Sequence, residues 1–314
     1  MSRPVVPKAE FGSYYGRPVL NPPVWRSPEI PGYLFLGGLA GASSLLGAGA
    51  TATGRPGLAR VSKLGAFGAG LLSVGALVHD LGRPARFLNM LRVFKVTSPM
   101  SVGSWLLAGY VPLAGAAAVS AATGRVPRIG VAATAGSALL GPAVASYTAA
   151  LVSDTAVPAW HEGHREMPYL FVGSAATAAG GLGLLAAPTG EHRPARRLAL
   201  VGVATELAAL SVMRRRLGMV AEPYSTGTGG RYLRAATALS AAGTAGALLG
   251  RRSRLASALS GAALLAASAC TRWGIFHGGR ASAADPRYTV EPQRRARDRN
   301  RGTPEGNDPA AGSG

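Results

Sequence analysis

The sequence predicts an all-α protein: a polytopic integral membrane helix bundle of about eight transmembrane helices. Three observations carry that prediction. Only 15% of the 314 residues are charged, against about a quarter in a soluble domain of this size. The mean hydropathy is positive, at +0.20. Apolar windows of about twenty residues, the length that crosses a bilayer core as a helix, recur along the chain. A soluble alanine-rich bundle is the alternative, but it needs charged outer faces, and the run VAATAGSALLGPAVASYTAALV at 131–152 has none.

Residues 1–30 hold six prolines and the string FGSYYGRP, which predicts an extended segment. They lack the ordered basic, apolar and cleavage regions of a signal peptide, so the first helix is expected to target the chain. Residues 31–278 form the expected membrane domain, with spans near 32–52, 61–79, 102–122, 129–152, 168–187, 196–213, 233–250 and 255–276. Gly37 and Gly41 make a small-xxx-small pair, and Gly180, Gly181 and Gly183 crowd the fifth span, as close packing in lipid favours. Pro112 and Pro142 are expected to kink spans three and four. Residues 279–314 are basic, then small and polar, the composition of a disordered tail.

The formal charge of +19 invites a nucleic-acid reading. The basic residues, however, fall in short clusters between apolar runs, not on readout elements, so no nucleic-acid partner is expected and the lipid bilayer is. The single cysteine, Cys270, excludes a disulfide framework or a four-cysteine iron–sulfur or zinc site within the chain. His79, His161, His164, His192 and His277 lie at span ends or in loops, whereas haem ligands belong deep in facing helices, so no haem is expected. HEGH at 161–164 lacks the four-residue spacing of a zinc helix, and no metal site is predicted. GTGG at 227–230 lacks the context of a dinucleotide fingerprint and reads as a flexible turn.

With eight spans, both termini and the loops after spans two, four and six share one face, here called the even face. HDLGRPARFLNMLRVFK at 79–95 and SDTAVPAWHEGHREM at 153–167 sit there, so the richest chemistry collects on one side. The bland alternative is that Asp80 and Arg83 only terminate a helix, with the arginine snorkelling to headgroups.

The blocks HDLGRPARFLNMLRVFK with SPMSVGSW, and YTAALVSDTAVPAWHEGHREMPYLFVGSAA, flanked by PGYLFLGGLAG and DPRYTVEPQR, resemble the NrfD/PsrC family over about residues 11–295. That family supplies the membrane subunit of polysulfide reductase and related molybdenum enzymes. The resemblance implies a haem-free subunit that exchanges electrons between a quinone, menaquinone in the first instance, and a four-cluster, ferredoxin-like iron–sulfur partner. That partner connects to a molybdopterin catalytic subunit of polysulfide reductase or formate dehydrogenase type. It also implies a quinone pocket among the first four helices near the partner-facing surface. A transporter or a passive anchor without redox work is the alternative; a transporter should show two related halves, and none is evident in the sequence.

A quinone needs an apolar slot, donors to its carbonyl oxygens and proton routes. Tyr147, about two turns inside the even-face end of span four, is the candidate donor, with an interfacial packing role as the alternative. The His79–Asp80 pair at the exit of span two completes the expected quinone mouth, and Asp154 is expected to pass protons. Glu206 is the acid set well inside a span, so it should face the bundle interior; it either carries protons or bonds across helices as a neutral carboxyl. Arg83, Arg86, Arg92 and Lys95, interleaved with apolar side chains, form a short amphipathic docking segment, and Trp160, His161 and His164 are expected to join that surface. Lysine and arginine total 22 on the even face and 11 on the odd, but 10 against 11 without the two tails. That balance, with the basic tail, favours cytoplasmic termini in the inner membrane.

Overall fold

In the computed structural model the described residues are 20, 21, 23–83, 85–250 and 253–302. The string FGSYYGRP therefore lies outside them. All regular structure among them is helical. Eight long helices run α1 Glu29–Ala52, α2 Pro56–Asp80, α4 Pro99–Thr123, α5 Pro127–Ser153, α7 Met167–Ala186, α8 His192–Leu217, α9 Gly227–Leu249 and α10 Arg254–Ala284. Two short helices, α3 Ala85–Met90 and α6 Pro158–Glu162, lie in even-face loops, and α11 Arg287–Gly302 follows α10.

Six of the long helices are long and apolar enough to cross a membrane. The other two, α8 and α9, span comparable lengths but carry arginines at or near their ends. Along the bundle, large apolar side chains face outward, among them Leu139 at 80% exposure and Leu72 at 63%. Such a surface suits hydrocarbon, and the polar groups are turned inward.

Helix α1 is the centre of the fold. It packs against α2, α5, α7 and α10, closing a ring with α2, α4 and α5 on one side. On the other side α8, α7, α10 and α9 stand in a row. Small residues permit these approaches: a Cβ on Gly41 would strike the Gly141 carbonyl, and one on Gly141 would strike Gly41 in return. In α7, Gly180 faces α8 while Gly181 faces the Gly261 carbonyl of α10, so the crowded glycines serve two neighbours. Pro112 and Pro142 lie inside helices that continue past them.

Two expectations are corrected. GTGG is not a free turn: it is the first turn of α9, where side chains at Gly229 and Gly230 would collide with Gly278 and Ser225. The chain after Gly279 does not become irregular there, because α10 continues to Ala284 and α11 follows. Packing explains the continuation. Ser282 Oγ accepts from the Ala159 N–H at 3.2 Å, and Arg287 pairs with Glu222 at 3.1 Å and Asp285 at 2.7 Å. Residues 303–314 lie outside the described residues.

Candidate functional site

The even end of the bundle is built from the connections after α2, α5 and α8. Helix α2 ends at Asp80, and Gly82 takes the left-handed conformation (φ 69°) that turns the chain, the backbone reason for glycine in DLGRP. Helix α3 follows, then an extended stretch that returns at Ser98, whose side chain caps α4 by accepting from the Ser101 N–H. Along this loop Arg83, Arg86, Arg92 and Lys95 are exposed, as are Val93, Phe94 and Val96. Phe94 meets Trp105 edge to face with ring centres 6.3 Å apart. The expected amphipathic segment is thus a charged and apolar surface open at the bundle end.

Behind it lies a cavity of about 420 Å³, lined by Val96, Thr97, Pro99, Val102, Tyr147, Ala150 and Asp154. Its walls are largely apolar, with one phenol, one carboxylate and the Thr97 hydroxyl. Tyr147 and Asp154, separated by seven residues on α5 and its cap, are therefore brought together. The Tyr147 ring has room because Gly103 faces it; a Cβ there would overlap the ring. Its hydroxyl hydrogen-bonds the hydroxyl of Tyr33, with the two rings set edge to face at 6.5 Å.

Tyr33 extends the site toward the second predicted pair. It lies one helical turn after Glu29 on α1, so both side chains share a face. Glu29 Oε1 is 3.3 Å from His79 Nδ1, and Glu29 also lies close to Asp80, which faces the backbone N–H of Arg26. His79 and Asp80 do not line the Tyr147 cavity. They form a separate acid and histidine cluster at the mouth between α1 and α2, with Tyr33 and Glu29 standing between the two. Nothing in the sequence marks Tyr33 or Glu29 as a site residue, because each reads as the opening of an ordinary span.

The 154–166 loop gives a mixed outcome. His161 and His164 are exposed; His161 Nδ1 lies 3.3 Å from the Ser153 carbonyl, and His164 Nδ1 lies 2.9 Å from that of His161. Trp160 is fully buried, which removes it from the docking surface. It donates through Nε1 to the Ile275 carbonyl at 2.8 Å, stacks on Trp25 at 5.5 Å and occupies the space left by Gly279. Its role is to tie the loop to α10. Glu166 receives Arg216 through Nε at 2.7 Å and Nη2 at 2.6 Å, and this fork holds its carboxyl below the usual carboxylate range.

Glu206 faces the bundle interior, 3% exposed, and its Oε1 accepts from Thr271. Its nearby countercharge is Arg272, which is fully buried, donates to the Phe171 carbonyl at 2.7 Å and lies over the Phe171 ring at 3.7 Å. Arg272 falls near the end of the predicted span 255–276, whereas α10 runs twelve residues beyond it. Together with Ser174 and Ser268, hydrogen-bonded at 2.8 Å, these side chains make a polar core between α7, α8 and α10.

Fold and site define a polytopic helical membrane protein with a polar, loop-built mouth at one end. The NrfD family of polysulphide reductases matches residues 18–242, well over half of the chain. The chain belongs to that family, the membrane subunits of polysulfide reductase-like complexes. No curated protein matches it.

Proposed function

We propose that this protein is the quinone-reactive subunit of a molybdopterin and iron–sulfur oxidoreductase complex of the inner membrane. The observation that carries the proposal is the even-face cavity in which Tyr147 and Asp154 meet an apolar wall. At about 420 Å³ it falls within the range of small-molecule sites, and its few convergent polar groups suit a ring with two carbonyl oxygens. Conversion of a quinone to a quinol takes two electrons and two protons. The electrons arrive from, or leave to, an iron–sulfur subunit, and the protons must come through this chain.

Tyr147 donates its hydroxyl proton in a hydrogen bond to a carbonyl oxygen, with Tyr33 fixing the phenol's orientation. Asp154, exposed at the end of α5, connects the cavity to water. His79, Asp80 and Glu29 form a second proton-exchanging group at the mouth, one turn of α1 from Tyr33. Glu206, with Thr271 and Arg272, serves proton movement deeper in the bundle. The iron–sulfur partner docks on the surface of Arg83, Arg86, Arg92, Lys95, His161 and His164, which brings its terminal cluster toward the cavity. Exposed arginines beside exposed Val93 and Phe94 suit a partner surface that is acidic at its rim.

The test is Tyr147→Phe in the purified complex. Quinol-linked turnover is expected to fall about tenfold or more, the scale of a lost proton-donating group, while turnover of the catalytic partner with a soluble artificial electron carrier is retained. Unchanged quinol-linked turnover in that variant would leave the chain as a passive anchor.

A further inference from the structure

A second cavity, at the opposite, odd end of the bundle, belongs to none of the groups above. It is a groove of about 710 Å³ between the last turns of α1 and the first turns of α8. Both helices pack on α7, which leaves the cleft between them open toward the surrounding medium. Its walls are apolar, with Leu45, Leu198 and Val201 among them, and Leu45 and Val201 are exposed. Its rim carries three guanidinium groups, Arg55, Arg193 and Arg197.

These charges are arranged by helix geometry. Arg193, Arg197 and Val201 follow at four-residue intervals, so they form one stripe down α8 that changes from basic to apolar over about 12 Å. Arg55, in the turn after α1, faces the basic end of that stripe. Among the described residues no ion pair engages any of the three. The acid in the turn before α8, Glu191, is directed elsewhere: it accepts from the Leu58 N–H at 2.6 Å and the Gly57 N–H at 3.3 Å. No carboxylate lines the groove. Arg55 donates to the Thr53 carbonyl at 3.2 Å, and three guanidinium groups without a carboxylate partner above an apolar furrow match an amphiphile that carries an anionic head and a hydrocarbon tail.

We propose that this groove binds an anionic glycerophospholipid, with Arg55, Arg193 and Arg197 on its phosphate and an acyl chain along Leu45, Leu198 and Val201. The site is independent of the quinone reading, since it shares no residue with the even-face cavity.

The experiment is native mass spectrometry of the purified complex, titrated with phosphatidylglycerol or with phosphatidylcholine of the same acyl chains. The wild type is expected to bind phosphatidylglycerol about tenfold more tightly or better, the scale that several arginines near an anionic headgroup supply. The triple variant Arg55→Gln, Arg193→Gln, Arg197→Gln should lose that preference. Arg125→Gln with Arg128→Gln, on the same face but outside the groove, should keep it. Equal affinity of the wild type for the two lipids overturns the proposal, and that comparison stands if the triple variant does not assemble. A photoreactive phenylalanine at Val201 supplies a second readout. A phospholipid adduct is expected, whereas an adduct to another polypeptide or to a quinone would assign the groove to a different occupant and overturn the lipid assignment.

Discussion

Tyr147 is placed by its neighbours as much as by α5. Gly103 leaves the space its ring fills, so Gly103→Ala is expected to displace the phenol and lower quinol-linked turnover to the level of Tyr147→Phe. Gly109→Ala, whose nearest neighbour would be an ordinary 3.7 Å away, should leave turnover unchanged; steady-state kinetics of the two variants checks the pair. Glu206→Gln keeps hydrogen bonding but removes titration. If Glu206 carries protons, turnover should fall about tenfold or more across pH 5–9, and normal turnover over that range would remove the role. Glu166 makes a prediction about stability. Its carboxyl lies below the ordinary 4.5 in the folded protein, so the Arg216 contact stabilises fully above that pH and is lost as pH falls through the lower, folded value. Glu166→Gln should cost about 1–3 kcal/mol at neutral pH, the scale of hydrogen bonds to charged groups. In thermal denaturation, the gap from wild type should close as the pH drops well below 4.5.

At the scale of elements, the loops are held by the helices they cross. Trp160 pins α6 to α10, and Trp160→Ala is expected to destabilise by about 3–5 kcal/mol, the cost of truncating a buried aromatic side chain. Thermal denaturation checks that cost, and limited proteolysis should show the 154–166 loop newly cut. The helices themselves were legible in the sequence, because hydrocarbon demands long apolar runs and the loops between them are charged. Prolines at the starts of α2, α4 and α5 extended those helices before the apolar windows opened, so window edges missed their first turns. The even-face clustering and the inward direction of Glu206 were also legible, since each follows from span parity and helical spacing, whereas the sequence joins Tyr147 to His79 and Asp80 and the cavity joins it to Asp154 instead. Contacts between distant helices were not legible. Nothing local in PGYLFLGG marks Tyr33 as the partner of Tyr147, and Arg272 looked terminal because hydropathy fades before α10 ends. Trp160 is buried against expectation for the same reason: a tryptophan beside histidines in a polar loop gives no sign of the glycine on α10 that admits it.

Over the whole molecule, the even end gathers the described N-terminal segment, the connections after α2, α5 and α8 and the start of α11. Trp25 stacks on Trp160, and Arg287 reaches Glu222. Trp25 and the first turn of α11 therefore lie on the proposed partner-facing side. We propose that this face is cytoplasmic on the strength of the basic tails alone, since without them the two faces carry 10 and 11 lysines and arginines. Green fluorescent protein fused after Gly314 should fluoresce, and an alkaline phosphatase fusion at the same point should be inactive; the reverse result would place the even face outside. Quinone binding in the even-face cavity underlies every redox role proposed above. A photoreactive menaquinone analogue, irradiated with the purified complex and mapped by peptide mass spectrometry, tests that claim directly. Labelling within 96–102 and 147–154, lost in excess menaquinone, is the predicted result. Competed labelling confined to other segments would contradict it.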